Sequence, residues 1–177
     1  MQRFTMMVNR YEIRALGPND EVGDVLAVAQ QKRQAFKEQV TFYADDARQV
    51  PVFSLKARQA MDLGATYDVL DGEGSPIGMF RKDFAPSALR SRWHLEAGAV
   101  SAVGKERNIA LAMVRRVSDA IPVPVHIDFL DPQGLPVMTS ERTWRLRDRF
   151  LVRLPSGRLD GRVGAAMAVA LDALQGR

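Results

Sequence analysis

The sequence predicts a mainly β fold, a closed antiparallel barrel threaded by a hydrophobic C-terminal helix, and three observations predict it. The run from Asp160 to Gly176 is helical in pattern but has no polar face; the stretches before it alternate apolar and polar residues; and turns rich in Asp, Gly and Pro separate those stretches. A surface helix shows one polar side, yet Val163, Ala165, Ala166, Met167, Ala168, Val169, Ala170 and Leu171 cover every direction of the wheel, so this helix must be surrounded. Roughly 20 apolar residues are needed to span a bilayer, more than this run supplies, so the surroundings are protein. A slim Ala-rich helix among many short strands fits inside a closed sheet, which also removes exposed edges.

The elements follow in order. Tyr11 to Leu16 reads as a strand and meets the turn Gly17-Pro-Asn-Asp20. The same arrangement recurs where Tyr67 to Leu70 meets Asp71-Gly-Glu-Gly74, and where His126 to Leu130 meets Asp131-Pro-Gln-Gly134. Near-constant spacing of the three suggests a repeated hairpin unit. The last turn has Asp, Pro and Gly at the positions a type I turn favours, because Pro presets the backbone and Gly tolerates the exit conformation. Residues Asp24 to Lys37 suit either helix or strand, and their context favours strand. Gln39 to Tyr43, Val50 to Leu55, Ile77 to Phe80 and Trp93 to Leu95 read as half-buried strands. Ile109, Met113 and Val117 share one helical face, which predicts a short helix before Pro122. Asp160 is placed to cap the final helix and Gly176 to end it.

At 177 residues, 46% hydrophobic and 26% charged, the chain has the length and composition of one soluble domain, given ~150 residues per domain. The expected organisation is a single domain over 1–177, with strands over about 10–158 and the central helix over about 160–175. The absence of Cys excludes disulfides, thiolate metal sites and a cysteine nucleophile. His94 and His126 have no ligand spacing, and neither H-E-x-x-H nor G-x-S-x-G occurs, so no cofactor, metal or catalytic residue is expected. The N-terminus lacks the apolar core of a signal peptide, and a location in the cytoplasm, free or peripheral at a membrane, is expected.

The order of several local motifs resembles a known family. Gln30-Gln-Lys-Arg, Tyr67-Asp-Val-Leu-Asp-Gly-Glu-Gly, Ile77-Gly-Met-Phe-Arg-Lys-Asp-Phe, Leu89-Arg-Ser-Arg-Trp, Leu159-Asp-Gly-Arg and Ala168-Val-Ala-Leu-Asp-Ala-Leu look like the LURP-one-related and phospholipid-scramblase-like group of the tubby C-terminal superfamily. The resemblance runs from about Tyr11 to Leu174. It implies a tubby C-terminal-like fold, a twelve-stranded barrel wrapped around a hydrophobic C-terminal helix. It also implies that relatives bind phosphoinositide headgroups through basic surface residues. Without Cys, and ending at the helix, this chain departs from scramblases, and no lipid-binding residue transfers position by position.

Basic residues supply the candidate site. The net charge of +4 is concentrated between Arg142 and Arg162, where Arg outnumbers Asp. If Thr143 to Leu154 is extended, Arg145, Arg147, Arg149 and Arg153 point to one side, while Trp144, Leu146, Phe150, Val152 and Leu154 point to the other. A row of guanidinium groups can clamp phosphate. The plainer reading is a solvated strand face in a sequence that prefers Arg, and Asp148 suggests a turn that breaks the stripe. A second group, Arg81, Lys82, Arg90 and Arg92, is interleaved with Phe84 and Trp93, as in single-strand nucleic-acid binders. Trp93 and Phe84 are better explained as core anchors, so nucleic acid is not the expected partner. Asp172 is out of place near the end of an apolar helix, where the helix dipole disfavours an acid. It is expected to reach water or to pair with an Arg. Together these features point to a non-enzymatic binding domain without a transmembrane segment. Its ligand would be an anionic membrane lipid or a phosphorylated small molecule held by Arg145, Arg147, Arg149, Arg153, Arg81, Lys82, Arg90 and Arg92. A protein-interaction module is the alternative, and an enzyme with an unrecognised site stands third.

Overall fold

A computed structural model describes residues 2–4, 8–32, 39–58, 66–83, 92–107, 125–143 and 149–175. The predicted short helix around 109–117 lies outside the described residues. Among these residues twelve strands form one sheet in strict chain order, from β1 (Gln2–Phe4), β2 (Val8–Leu16), β3 (Val22–Lys32) and β4 (Gln39–Tyr43) to β5 (Pro51–Ala57) and β6 (Thr66–Asp71). It continues with β7 (Pro76–Asp83), β8 (Arg92–Ala97), β9 (Val100–Glu106), β10 (Val125–Leu130), β11 (Pro136–Thr143) and β12 (Arg149–Arg153). Neighbouring strands are antiparallel, and the chain then enters helix α1 (Gly161–Gln175).

The turns behave as their residues dictate. In both the β6–β7 and the β10–β11 hairpins the leading Asp side chain accepts two backbone N–H bonds. Asp71 Oδ1 takes Glu73 and Ser75 at 3.0 and 2.8 Å, and Asp131 Oδ1 takes Gln133 and Leu135 at 3.1 and 2.8 Å. The ambiguous stretch is strand from Asp24 to Lys32, with 33–37 outside the described residues, and two irregularities explain its mixed pattern. Ile13 pairs with Ala27 but Arg14 with Val25, so Leu26 is an extra residue on β3, and a second extra residue separates the Arg14–Val25 and Leu16–Val22 pairs. Bulges of this kind bend a strand and re-aim a side chain.

Inward positions build an aromatic belt beneath the sheet. Phe42 stacks on Phe53 across β4 and β5 with centroids 4.4 Å apart, Tyr67 stacks on Phe80 at 5.3 Å, and Phe80 meets Trp93 at 6.4 Å. Such pairs add directional preference to the area they bury. The helix enters this core. Val163, Ala166, Met167 and Ala170 have no exposed surface at all, whereas Ala168, Val169 and Asp172 retain 6–7%. Gly78 of β7 allows the approach, since a Cβ there would lie 3.0 Å from a Val163 methyl and from the Glu96 carbonyl. Asp160 caps the helix as expected, accepting the Arg162 N–H at 2.8 Å.

Backbone pairing does not provide the expected closure. Among the described residues no ladder joins β12 back to β1 or β2. A five-residue final strand faces a hairpin curled by two bulges, a geometry that leaves a seam bridged by side chains.

Candidate functional site

Among the residues whose side chains are described, the arginines of the basic segment that dominates the sequence are paired within the fold. Arg153 donates to Asp20 at 2.6 Å and to Glu141 at 3.3 Å, Arg158 to Asp131 at 2.6 Å, and Arg162 to Asp160 at 2.7 Å. These contacts hold the Asp131 and Asp160 carboxyls below the usual carboxylate range, the hydrogen bonds from Arg158 and Arg162 being the main causes. Arg142 turns inward instead. Its guanidinium lies 3.9 Å from Asp172 and 5.6 Å from the centre of the Phe150 ring, and both charged side chains are nearly buried. Tyr11 donates to the other Asp172 oxygen at 3.5 Å. The misplaced acid on α1 is thus paired with an Arg. Arg145 and Arg147 lie outside the described residues, and for Arg149 only its place on β12 is described.

The second basic group is divided by the pleat. Arg81 points outward, 3.6 Å from Asp83. Lys82, the next residue, points the other way and places its Nζ 5.3 Å above the Trp93 ring, which is fully buried as a core anchor. One surface therefore cannot use both residues. Arg90 lies outside the described residues. Arg92 is exposed and directly opposite Lys105 of β9, and a straight row runs Asp83, Arg92, Lys105, Asp128 across β7 to β10. The flanking acids are engaged elsewhere, Asp83 with His94 at 2.6 Å and Asp128 with Arg107 at 2.7 and 2.8 Å. Among the described residues Arg92 and Lys105 have no ion-pair partner.

A cleft of about 330 Å³ occupies the seam. One wall is β2 from Tyr11 to Leu16 with Val22 and Leu26 of β3, and the other is Phe150, Val152 and Leu154. The floor is Gly161, Ala165, Ala168, Val169 and Asp172, which repeat along one stripe of α1. From Val163 to Asp172 this stripe carries most of the residual exposure of the helix, and its small residues make the trough. Arg14 donates to Glu12 and, at 3.2 Å, to the Gly23 carbonyl, and Asp172, the third charged residue of the lining, faces Arg142. The Arg153–Asp20 pair spans the seam from β12 to the β2–β3 turn.

A family model described as LURP-one-related matches residues 25–172. The chain belongs to that family. Neither the curated proteins nor the solved structures contain a match to it. In this LURP-one-related domain no described helix is long and apolar enough to cross a membrane. Among the described residues no group of three or more His, Asp or Glu is arranged to hold a metal ion.

Sequence reasoning missed Lys105 and the cleft. Lys105 is one Lys in a strand, and only the register sets it against Arg92. The cleft left one trace, the consecutive apolar residues Val25 and Leu26, which break the alternation at a bulge and remain 37% and 54% exposed.

Proposed function

We propose that this LURP-one-related domain is a binding domain for a phosphate-bearing anion held on the outer face of β7 to β9, with Arg92 and Lys105 as the contact cations and Arg81 beside them. The observation that carries the reading is the like-charged pair itself. Like charges directly opposite on neighbouring strands are destabilising, by about 0.2–1 kcal/mol, and here the adjacent acids have other partners. A bound phosphate relieves that repulsion, with the Arg92 fork and the Lys105 ammonium donating to its oxygens. Arg90, Arg145, Arg147 and Arg149 stay candidates of the same class, whereas Arg153 is committed to Asp20 and Glu141. In the same reading the sheet is the wall of a barrel around α1, its last side completed by side chains across the seam.

The test is co-sedimentation with phosphatidylcholine vesicles, with and without phosphoinositides, alongside calorimetric titration with a soluble inositol phosphate. Binding to phosphoinositide vesicles alone identifies a lipid source, and binding to both identifies free phosphate chemistry. Arg92→Glu with Lys105→Glu is expected to abolish binding, while Lys56→Glu, an exposed residue on β5, leaves it intact. Equal sedimentation with neutral vesicles and no saturable titration, or binding unchanged in the double variant, refutes the reading.

A further inference from the structure

The seam divides the sheet into a body, β4 to β12, and a lightly held edge. The β2–β3 hairpin is firmly paired within itself, from Val8 opposite Lys32 to Leu16 opposite Val22, and β1 is carried on β2. Its attachments to the body are slighter. Among the described residues its only backbone pairing with β4 joins Val28 to Tyr43, and no ladder joins it to β12. Both bulges lie between that junction and the β2–β3 turn, where they bend the hairpin away from a flat sheet.

The core side chains of the hairpin are also small. β3 sends in Ala27 and Ala29, and β2 sends in Tyr11 and the partly buried Ile13, whereas β4 to β8 each contribute an aromatic ring, Phe42, Phe53, Tyr67, Phe80 and Trp93. Burial energy scales with apolar area, so the alanines of β3 hold it less firmly than the rings hold the body. At the seam a charged contact supplements them. Arg153 of β12 lies 2.6 Å from Asp20 in the β2–β3 turn and 3.3 Å from Glu141 of the neighbouring β11. The Arg153 and Asp20 side chains are 40% and 46% exposed, so parting them leaves Asp20 in water and Arg153 still facing Glu141. The Tyr11 hydroxyl reaches Asp172 of α1 at 3.5 Å, the long end of hydrogen bonding. We propose that the β2–β3 hairpin is a flap that swings on the Val28–Tyr43 junction, with the Arg153–Asp20 pair as the clasp that holds it over the Ala165 and Ala168 stripe of α1. Salt screens an exposed pair, so the flap opens more readily as ionic strength rises. The device is separate from Arg92 and Lys105, and either can fail without the other.

The test is thiol labelling of the full chain, which has no Cys of its own. Ala168→Cys places a probe in the cleft lining, and Ala166→Cys places one on the same helix at a fully buried position outside that lining. Opening of the flap exposes the first and not the second. Raising the salt from about 0.05 to about 1 M should speed labelling of Ala168→Cys about two- to fivefold, the effect of one exposed ion pair on an opening equilibrium. Asp20→Asn should do the same at low salt and remove most of the salt response; Asn tolerates the φ of 59° held by Asp20. The Ala166→Cys rate should not change. If either helix variant loses thermal stability, Ala165→Cys in the lining and the buried Ala102→Cys of β9 repeat the comparison. A lining probe insensitive to both salt and Asp20→Asn overturns the proposal, and so does a buried probe that accelerates in step with it, since the whole domain is then loosening.

Discussion

Replacing Arg142 by Met removes one member of the buried pair that holds the end of α1. In the native protein the Arg142 guanidinium lies 3.9 Å from Asp172, with 13% and 8% of the two side chains exposed. At that distance and an effective dielectric of about 20, their attraction is about 4 kcal/mol before desolvation is counted. Breaking a buried pair by removing one partner costs ~3–5 kcal/mol, because the remaining charge stays buried. The contact is long, the Tyr11 hydroxyl also reaches Asp172 at 3.5 Å, and Met refills part of the Arg142 volume, so the lower end, about 3 kcal/mol, is expected. For a domain of this size that lowers Tm by about 6–12 °C. Asp172→Leu alone should cost a similar amount. The double variant should regain most of the loss, since an apolar pair of similar volume replaces a buried ion pair at little cost. Urea unfolding of the four proteins gives the cycle. Single variants within about 0.5 kcal/mol of the native protein, or losses that simply add, would show that the pair is not coupled and that the placement of α1 rests on its apolar faces alone.

Other substitutions test the remaining supports. Phe53→Ala removes the partner stacked on Phe42 at 1% exposure and should cost ~3–5 kcal/mol in urea unfolding; a cost below about 1 kcal/mol would contradict the aromatic belt. Asp160→Ala removes the helix cap and should cost ~0.5–2 kcal/mol, with Asp160→Ser restoring most of it. Gly78→Leu meets a Val163 methyl and the Glu96 carbonyl at 3.0 Å and should destabilise by about 1–3 kcal/mol, read as a lower thermal midpoint, whereas Gly98→Asn in an open turn should be close to neutral. Because Arg158 depresses the Asp131 carboxyl, its contribution is complete above the ordinary carboxylate value of about 4 and is lost as pH falls below it. The urea midpoint should therefore drop as pH falls below about 4, and Asp131→Asn should flatten that drop; parallel profiles would exclude the pair as a source of acid sensitivity.

Local rules made most of the architecture legible. Asp at the head of the β6–β7 and β10–β11 turns, Gly where the backbone takes a positive φ at Gly74 and Gly134, and period-two alternation mark the hairpins because each acts within a few residues. The final helix was readable for the same reason, since the identity of every residue on its wheel is known without knowing what surrounds it. The β3 stretch was ambiguous because bulges shift the period, and a bulge is an agreement between two strands rather than a property of one. The site was least legible. Seven arginines between Arg142 and Arg162 look like a cationic surface in sequence, but Asp20, Glu141, Asp131 and Asp172 come from other elements to meet four of them along with local Asp160. Charge in a sequence is a sum; charge on a surface depends on which side chains are neighbours.

By itself, the sequence determined a mainly β domain with Asp- and Gly-rich hairpins and an apolar C-terminal helix, because propensity, turn chemistry and hydrophobic period are local. Only the tertiary structure decided which cations meet an acid among the described residues, that Lys82 and Arg81 face opposite ways, and that the sheet ends in a seam floored by small residues of α1. Those outcomes depend on register and curvature, which come from contacts between residues far apart in the chain.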